Sequence, residues 1–283
     1  SVISADSMQV YRGMDIGSAK ITEEEMQGIP HELIDIADPS EEWNVVRFQR
    51  EAKAAVQRIT AKGRLPVLVG GTGFYIQALL YDIDFTETRE DTSYRSLLEE
   101  KARTEGNESL YRMLLEKDPE AAAAIHPNNL KRIIRALEFT RETGEKISDH
   151  NEEQRKRLPA YDAVFFVLTM EREKLYRRID LRVDQMMEAG LLEEVKRLQE
   201  QGFTSRDVSM QGLGYKQILQ YLEGEGTLED AVEQIKLQTR HFAKRQLTWF
   251  RRERDVIWVN TDEFPSREEM LDYMENTIRT RFS

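Results

Sequence analysis

Two short apolar runs constrain the fold more than anything else in this chain. Ser1–Ala5 runs into Asp6-Ser7-Met8-Gln9, and Pro66–Val69 runs into Gly70-Gly71-Thr72-Gly73 with an apolar stretch, Phe74–Leu80, directly behind it. Each brief apolar run reads as a buried strand, and with its elbow and a helical stretch it forms a strand–turn–helix unit whose repetition produces a parallel sheet. Between the two runs, His31–Ala37 alternates like a short strand. Val45, Phe48, Ala52, Val56 and Ile59 recur at helical spacing, with Gly63 as a stop. Arg12–Lys20 carries too many glycines for a helix and reads as a loop. Open parallel sheets bind ligands beyond the carboxyl ends of their strands, which makes the two elbows the place to look for chemistry.

The pattern changes near Thr92. From Ser93 to Gly144 the sequence reads as successive helices, punctuated by Gly106, Pro119 and Pro127, and Gly144–Pro159 reads as a polar connection. The sheet resumes at Ala163–Leu168. Further helices follow, striped by Leu175, Ile179, Val183 and Met187, by Leu191–Gln201, and by Leu228 through Phe250. Val256–Val259 reads as a last strand, and Ser266 with Glu269 reads as a capping box. The expected organisation is an α/β core formed by 1–92 and 156–283, with an all-helical insertion at 93–155.

Charge and composition exclude several classes. Lys plus Arg total 41 against 52 Asp plus Glu, a net charge of −11, so any nucleic-acid contact must come from a local basic patch. The chain has no cysteine, which removes disulfides and thiolate chemistry and fits a reducing cytoplasm. No apolar run approaches the ~20 residues of a membrane span. His31, His126, His150 and His241 are scattered without the spacing of a zinc site.

Several segments carry candidate chemistry. Asp6, at a strand end, suits either a proton acceptor or a loop-bracing hydrogen bond. Gly70-Gly71-Thr72-Gly73 suits either an anion cradle of backbone amides or a tight turn with Thr72 as a cap. Lys131 and Arg135 share a helix face with Arg132 beside them. Lys236–Arg254 gathers Lys236, Arg240, Lys244, Arg245, Arg251, Arg252 and Arg254, interleaved with His241, Phe242, Trp249 and Phe250 and a single acid, Glu253. Such a ridge can neutralise phosphates, or flank the ligand end of the sheet while its aromatics pack in the core. Val208–Gln217 is a glycine-containing loop that leads into a helix.

In order along the chain, Ile3–Tyr11, Gly13–Lys20, Ile29–Leu33, Val69–Gly73, Ile125–Asn128, Gly214–Gln217 and Thr239–Arg251 resemble the bacterial tRNA dimethylallyltransferase (tRNA isopentenylpyrophosphate transferase) family. The resemblance implies a P-loop NTPase-like parallel sheet core flanked by helices, with an inserted helical tRNA-binding domain. It implies transfer of a dimethylallyl group from dimethylallyl diphosphate to the exocyclic amine (N6) of the adenosine 3′ of the anticodon, assisted by Mg2+. Carried onto this chain, Asp6 would accept the amine proton, while Thr72, Gly70 and Gly71 would face the diphosphate. Ser7, Met8 and Gln9 would line the nucleotide channel. Arg95, Lys131, Arg132, Ile133, Ile134, Arg135, Gln211, Gly212, Leu213, Gly214, Tyr215, Lys216, Arg240, Lys244 and Arg245 would contact tRNA. The expected form is a cytoplasmic monomer with no membrane partner.

Two departures from the family pattern stand out. The G-P-T-A-x-G-K-[ST] phosphate loop is absent from these residues. The resemblance places it upstream of Ser1 within about 30 residues of strand, loop and helix, where it would hold the magnesium and diphosphate. A polypeptide beginning at Ser1 is expected to lack transferase activity. Gln211 stands where some relatives carry arginine. Alternative readings are a P-loop small-molecule kinase, a free-adenylate prenyltransferase and a non-catalytic RNA-binding module.

Overall fold

The computed structural model describes residues 1–85 and 92–282, so residues 86–91, near the expected end of the first core segment, lie outside the described residues. Cα packing divides the chain into two compact units, Ser1–Leu80 with Tyr161–Ser283, and Tyr81–Ala160.

The first unit is built on parallel strands. β1 (Val2–Ser4) lies between β2 (His31–Glu32) and β3 (Val67–Val69), with Val2 opposite both His31 and Val67 and Ser4 opposite Val69. A second parallel pair joins β4 (Phe165–Thr169) to β5 (Val256–Asn260) in continuous register from Phe165↔Val256 to Thr169↔Asn260. Helices α1 (Glu23–Met26), α2 (Val45–Ala61) and α3 (Gly73–Leu80) belong to the first half of this unit. Its second half carries α9 (Arg172–Glu188), α10 (Leu191–Glu200), α11 (Tyr215–Leu222), α12 (Leu228–Phe250) and α13 (Arg267–Phe282). Ile3, Ala5, Tyr11, Phe48, Leu191, Tyr215 and Ile218 are among the buried residues of its core. The apolar stripe of α2 faces that core, Asn44 caps its first turn, and Gly63 takes φ +65° just past its end. Thr227 and Asp230 form a capping box that starts α12. At the start of α13 the Glu269 N–H donates to Ser266 Oγ at 3.2 Å.

The second unit comprises α4 (Thr92–Glu105), α5 (Asn107–Lys117), α6 (Pro119–Ala124), α7 (Leu130–Thr143) and α8 (Ile147–Lys156). It has its own core of Leu98, Leu110, Leu114, Ile133, Ile134 and Leu137, with smaller neighbours.

Three expectations are corrected. The alternating run His31–Ala37 is a strand over His31–Glu32 alone, because Leu33 and Asp35 take φ +65° and +54° and break the extended backbone. The strand Pro66–Val69 is not fully buried, since Val67 and Val69 are 44% and 54% exposed. The polar connection Gly144–Pro159 contains helix α8. Asp149 in its first turn and Arg155 and Lys156 in its last complement the helix dipole, and Glu152 pairs with Lys156 at 2.7 Å. Asp118 anchors the start of α8, its carboxylate accepting the Ser148 N–H at 3.0 Å as well as the Ala121 N–H at 3.0 Å.

Candidate active site at the strand ends

The register of β1 against β3 places the two elbows side by side. Ala5 N–H donates to Val69 O at 2.7 Å, and Thr72 N–H donates back to Ala5 O at 3.3 Å. Hydrogen bonds of Ala5 therefore hold the residue before Asp6 against the glycine turn, at the carboxyl ends of adjacent strands, the position open parallel sheets use for ligands.

Of the two sequence readings of Asp6, the structure displays the loop brace. One carboxylate oxygen, Oδ1, braces the elbow by accepting the N–H groups of Met8 (2.7 Å) and Gln9 (3.1 Å). The other makes no hydrogen bond among the described residues, and Asp6 is half-buried. A pinned carboxylate with one oxygen open is pre-oriented to accept a proton. The phenol of Tyr75, stacked on Phe48 at 4.4 Å, is driven above its usual pKa by burial, with the charges of Tyr11 and Asp6 adding to the shift. Thr72 starts α3 through its carbonyl, which accepts the N–H groups of Tyr75 (2.9 Å) and Ile76 (3.2 Å). Its hydroxyl makes no hydrogen bond among the described residues, so the turn's cap is a backbone one.

Each glycine of the turn has a steric reason. A Cβ on Gly70 would lie 2.4 Å from the Ala5 carbonyl carbon, one on Gly71 2.1 Å from Gln246 Nε2, and one on Gly73 2.3 Å from the Trp249 ring. Gln246 donates from Nε2 to Gly71 O at 2.9 Å, which docks α12 onto the turn. The sequence showed Gln246 as one residue of a stripe; its partner lies 175 positions away.

The nearby loops converge on the Asp6 elbow. A Cβ on Gly212 would lie 2.5 Å from Met8 Cε, so the 211–216 segment packs on Met8. Gln9 Nε2 reaches Ser18 O and Ala19 O at 3.4 and 3.3 Å. Tyr215 is fully buried, and its hydroxyl donates to Glu194 Oε1 at 2.6 Å, so its side chain faces the core rather than a bound RNA. Gln211 donates from Nε2 to Ser205 O, while Lys216 is exposed and Gly212 and Gly214 are buried backbone. Ser7 and Leu213 are half-buried.

The basic stretch on α12 divides in two. Lys236 pairs with Asp184 of α9 at 2.8 Å and Arg240 with Asp180 at 3.0 Å, so two steps of the expected ridge are bound to a neighbouring helix. Beyond them His241, Lys244, Arg245, Thr248, Trp249 and Arg252 line a cleft of about 380 Å³. Glu253, half-buried, has its carboxyl pushed above the usual range by burial.

In the helical unit, Lys131 and Arg132 are exposed at the start of α7 and Arg135 is half-buried. Ile133 and Ile134 are 0% and 4% exposed and belong to that unit's core, because α7 turns its apolar face inward. Arg95 holds the buried Glu138 bidentately, at 2.9 and 2.8 Å. Among the described residues no group of three or more His, Asp or Glu side chains is placed to hold a metal ion.

Comparison with known proteins identifies what this arrangement belongs to. The IPP transferase family model matches residues 9–253. The chain is 59% identical to a tRNA dimethylallyltransferase of Lachnoclostridium phytofermentans, over 96% of this chain and 87% of that protein. It is 49% identical to one of Acetivibrio thermocellus, over 99% and 89%. Among solved structures it is similar to the tRNA isopentenylpyrophosphate transferase of Bacillus halodurans, with a TM-score of 0.73 and 46% identity over 99% of this chain and 88% of that one. It is also similar to a eukaryotic dimethylallyltransferase acting on tRNA, with a TM-score of 0.84 and 31% identity over 99% and 73%. With elbows, glycine turn and docked α12 in place along a chain matched nearly end to end, this protein belongs to the IPP transferase family, alongside the tRNA dimethylallyltransferases.

Proposed function

We propose that this protein transfers the dimethylallyl group of dimethylallyl diphosphate to the exocyclic N6 amine of the adenosine 3′ of the anticodon in tRNA, releasing diphosphate. Family membership supports the reaction class. The single observation that carries the site is the Thr72 N–H to Ala5 O bond at 3.3 Å, which joins the Asp6 elbow and the glycine turn.

In this reading the adenine amine attacks the allylic carbon, the carbon–oxygen bond to diphosphate breaks, and a proton leaves the nitrogen. The amine lone pair is delocalised into the ring, so Asp6 orients it and takes that proton. Negative charge grows on the departing diphosphate, where the amides of Gly70, Gly71 and Gly73, the N-terminus of α3 and the Thr72 hydroxyl can meet it. Extracting the base from the anticodon loop costs a few kcal/mol of stacking. Lys131, Arg132, Arg135, Lys216 and the Lys244–Arg252 cleft would offset this through phosphate contacts. Met8 and Gln9 line the way to Asp6, and the enzyme works as a cytoplasmic monomer.

Asp6→Ala should lower turnover with tRNA and dimethylallyl diphosphate by about 10²–10⁴-fold, the usual worth of a positioned base, while tRNA affinity is retained. Turnover near that of the unaltered protein removes Asp6 from the role. A small-molecule kinase or free-adenylate prenyltransferase would give no tRNA gel shift, and an RNA-binding module would release no diphosphate.

A further inference from the structure

The loop Asp15–Ala19 is closed around an internal carboxylate. Glu194 of α10 is 2% exposed, and its two oxygens accept the N–H groups of Asp15 (3.0 Å), Ile16 (2.9 Å) and Gly17 (3.1 Å). Successive backbone amides aimed at one point form an anion nest, and here a side chain of the same chain fills it. The Tyr215 hydroxyl donates to Glu194 Oε1 at 2.6 Å, and its ring lies so close to Gly17 that a Cβ there would approach within 2.6 Å. Burial and the adjacent Glu194 charge both push the Tyr215 phenol pKa upward, so it stays a donor.

The loop held in this way has one further contact of consequence. Ser18 O and Ala19 O accept the two Gln9 Nε2 hydrogens at 3.4 and 3.3 Å. Gln9 in turn donates its backbone N–H to Asp6 Oδ1 at 3.1 Å, and its Oε1 meets the Ser4 hydroxyl at 3.4 Å. Lys20, with only 5% of its side chain exposed, fastens the far end of the loop to Tyr11 O and to Asp15 and Asp35. An unbroken path of hydrogen bonds thus runs from Tyr215 through Glu194 and the loop to Gln9 and Asp6.

We infer that Glu194 and Tyr215 are positioning residues that set the orientation of the Asp6 carboxylate through the Asp15–Ala19 loop and Gln9. The inference rests on the role given to Asp6 above. A small misplacement of a reacting group can lower the rate by up to about 100-fold without altering binding.

The test is a kinetic cycle on the protein with tRNA and dimethylallyl diphosphate. Tyr215→Phe removes one hydrogen bond and no volume from the core, so it is the first variant; Glu194→Gln, which turns a donor toward the nest, is the second. The expected result for Tyr215→Phe is a fall in kcat of about 10-fold with KM for both substrates nearly constant. In an Asp6→Ala background the same change should have no further effect on the residual single-turnover rate, because the group it orients is gone. A purely structural Tyr215 would instead give equal losses in both backgrounds, and that result, or an unchanged kcat for Tyr215→Phe, overturns the inference. If Asp6→Ala alone leaves turnover normal, the functional reading fails first, so the two failures are told apart.

Discussion

Gly70 has no room for a side chain. Its missing Cβ would sit 2.4 Å from the backbone of Ala5, and backbone there cannot yield without parting β1 from β3. Gly70→Ala should therefore destabilise the protein by about 1–3 kcal/mol, the usual range for overpacking, and lower turnover as well. Gly71→Ala meets the far end of the Gln246 side chain, which can swing away at the loss of one hydrogen bond, so its effect should be smaller. Denaturant titration of both variants checks the order, and equal stabilities would contradict it. The sequence offered a steric reading of neither glycine, because each clash is with a residue far along the chain. It did expose Asp6 and Thr72 as candidates, since strand-end position follows from local pattern. Tyr215 shows the opposite case. The family resemblance made it a tRNA-contacting residue, but its partner, Glu194, lies 21 positions upstream on another helix and holds it inward.

At the scale of elements, α12 was legible as a long amphipathic basic helix, but the sequence could not sort its cations. Lys236 and Arg240 are held by Asp184 and Asp180 of α9, whereas Lys244 and Arg252 form no ion pair among the described residues and line the cleft. Affinity for tRNA should thus fall with rising salt. Lys244→Ala should lower the slope of log affinity against log salt by about 1, as for a lost phosphate contact, while Lys236→Ala leaves it unchanged. Equal slopes for the two variants would refute this division of the helix. Helix α8 escaped the sequence reading for a related reason. Beyond Ile147 its residues are polar, and its anchor, Asp118, lies 30 positions before Ser148. Charge placement along α8 was visible, but nothing local distinguishes such a segment from a solvated linker.

Across the whole molecule, the change from strand–helix alternation to helices alone corresponds to two hydrophobic clusters that share no residue. A unit with its own core can fold by itself. The fragment 81–160 should show helical circular dichroism and a cooperative thermal transition, and a broad, non-cooperative melt would count against an independent core. The net charge of −11 makes the few unpaired cations of the cleft the local attractors for a polyanion, since the remaining field repels it. Taken by itself, the sequence determined the parallel α/β character, the helical stretch within it and the two strand-end elbows. These depend on periodicity and on glycine placement within a few residues. Tertiary structure alone decided that the elbows touch, that Gln246 docks on the turn, that Ile133, Ile134 and Tyr215 face inward, and that Glu194 fills the loop's nest. Each is a contact between residues remote in sequence or a choice of helix face, and such choices are fixed by packing and by the need to satisfy buried polar groups.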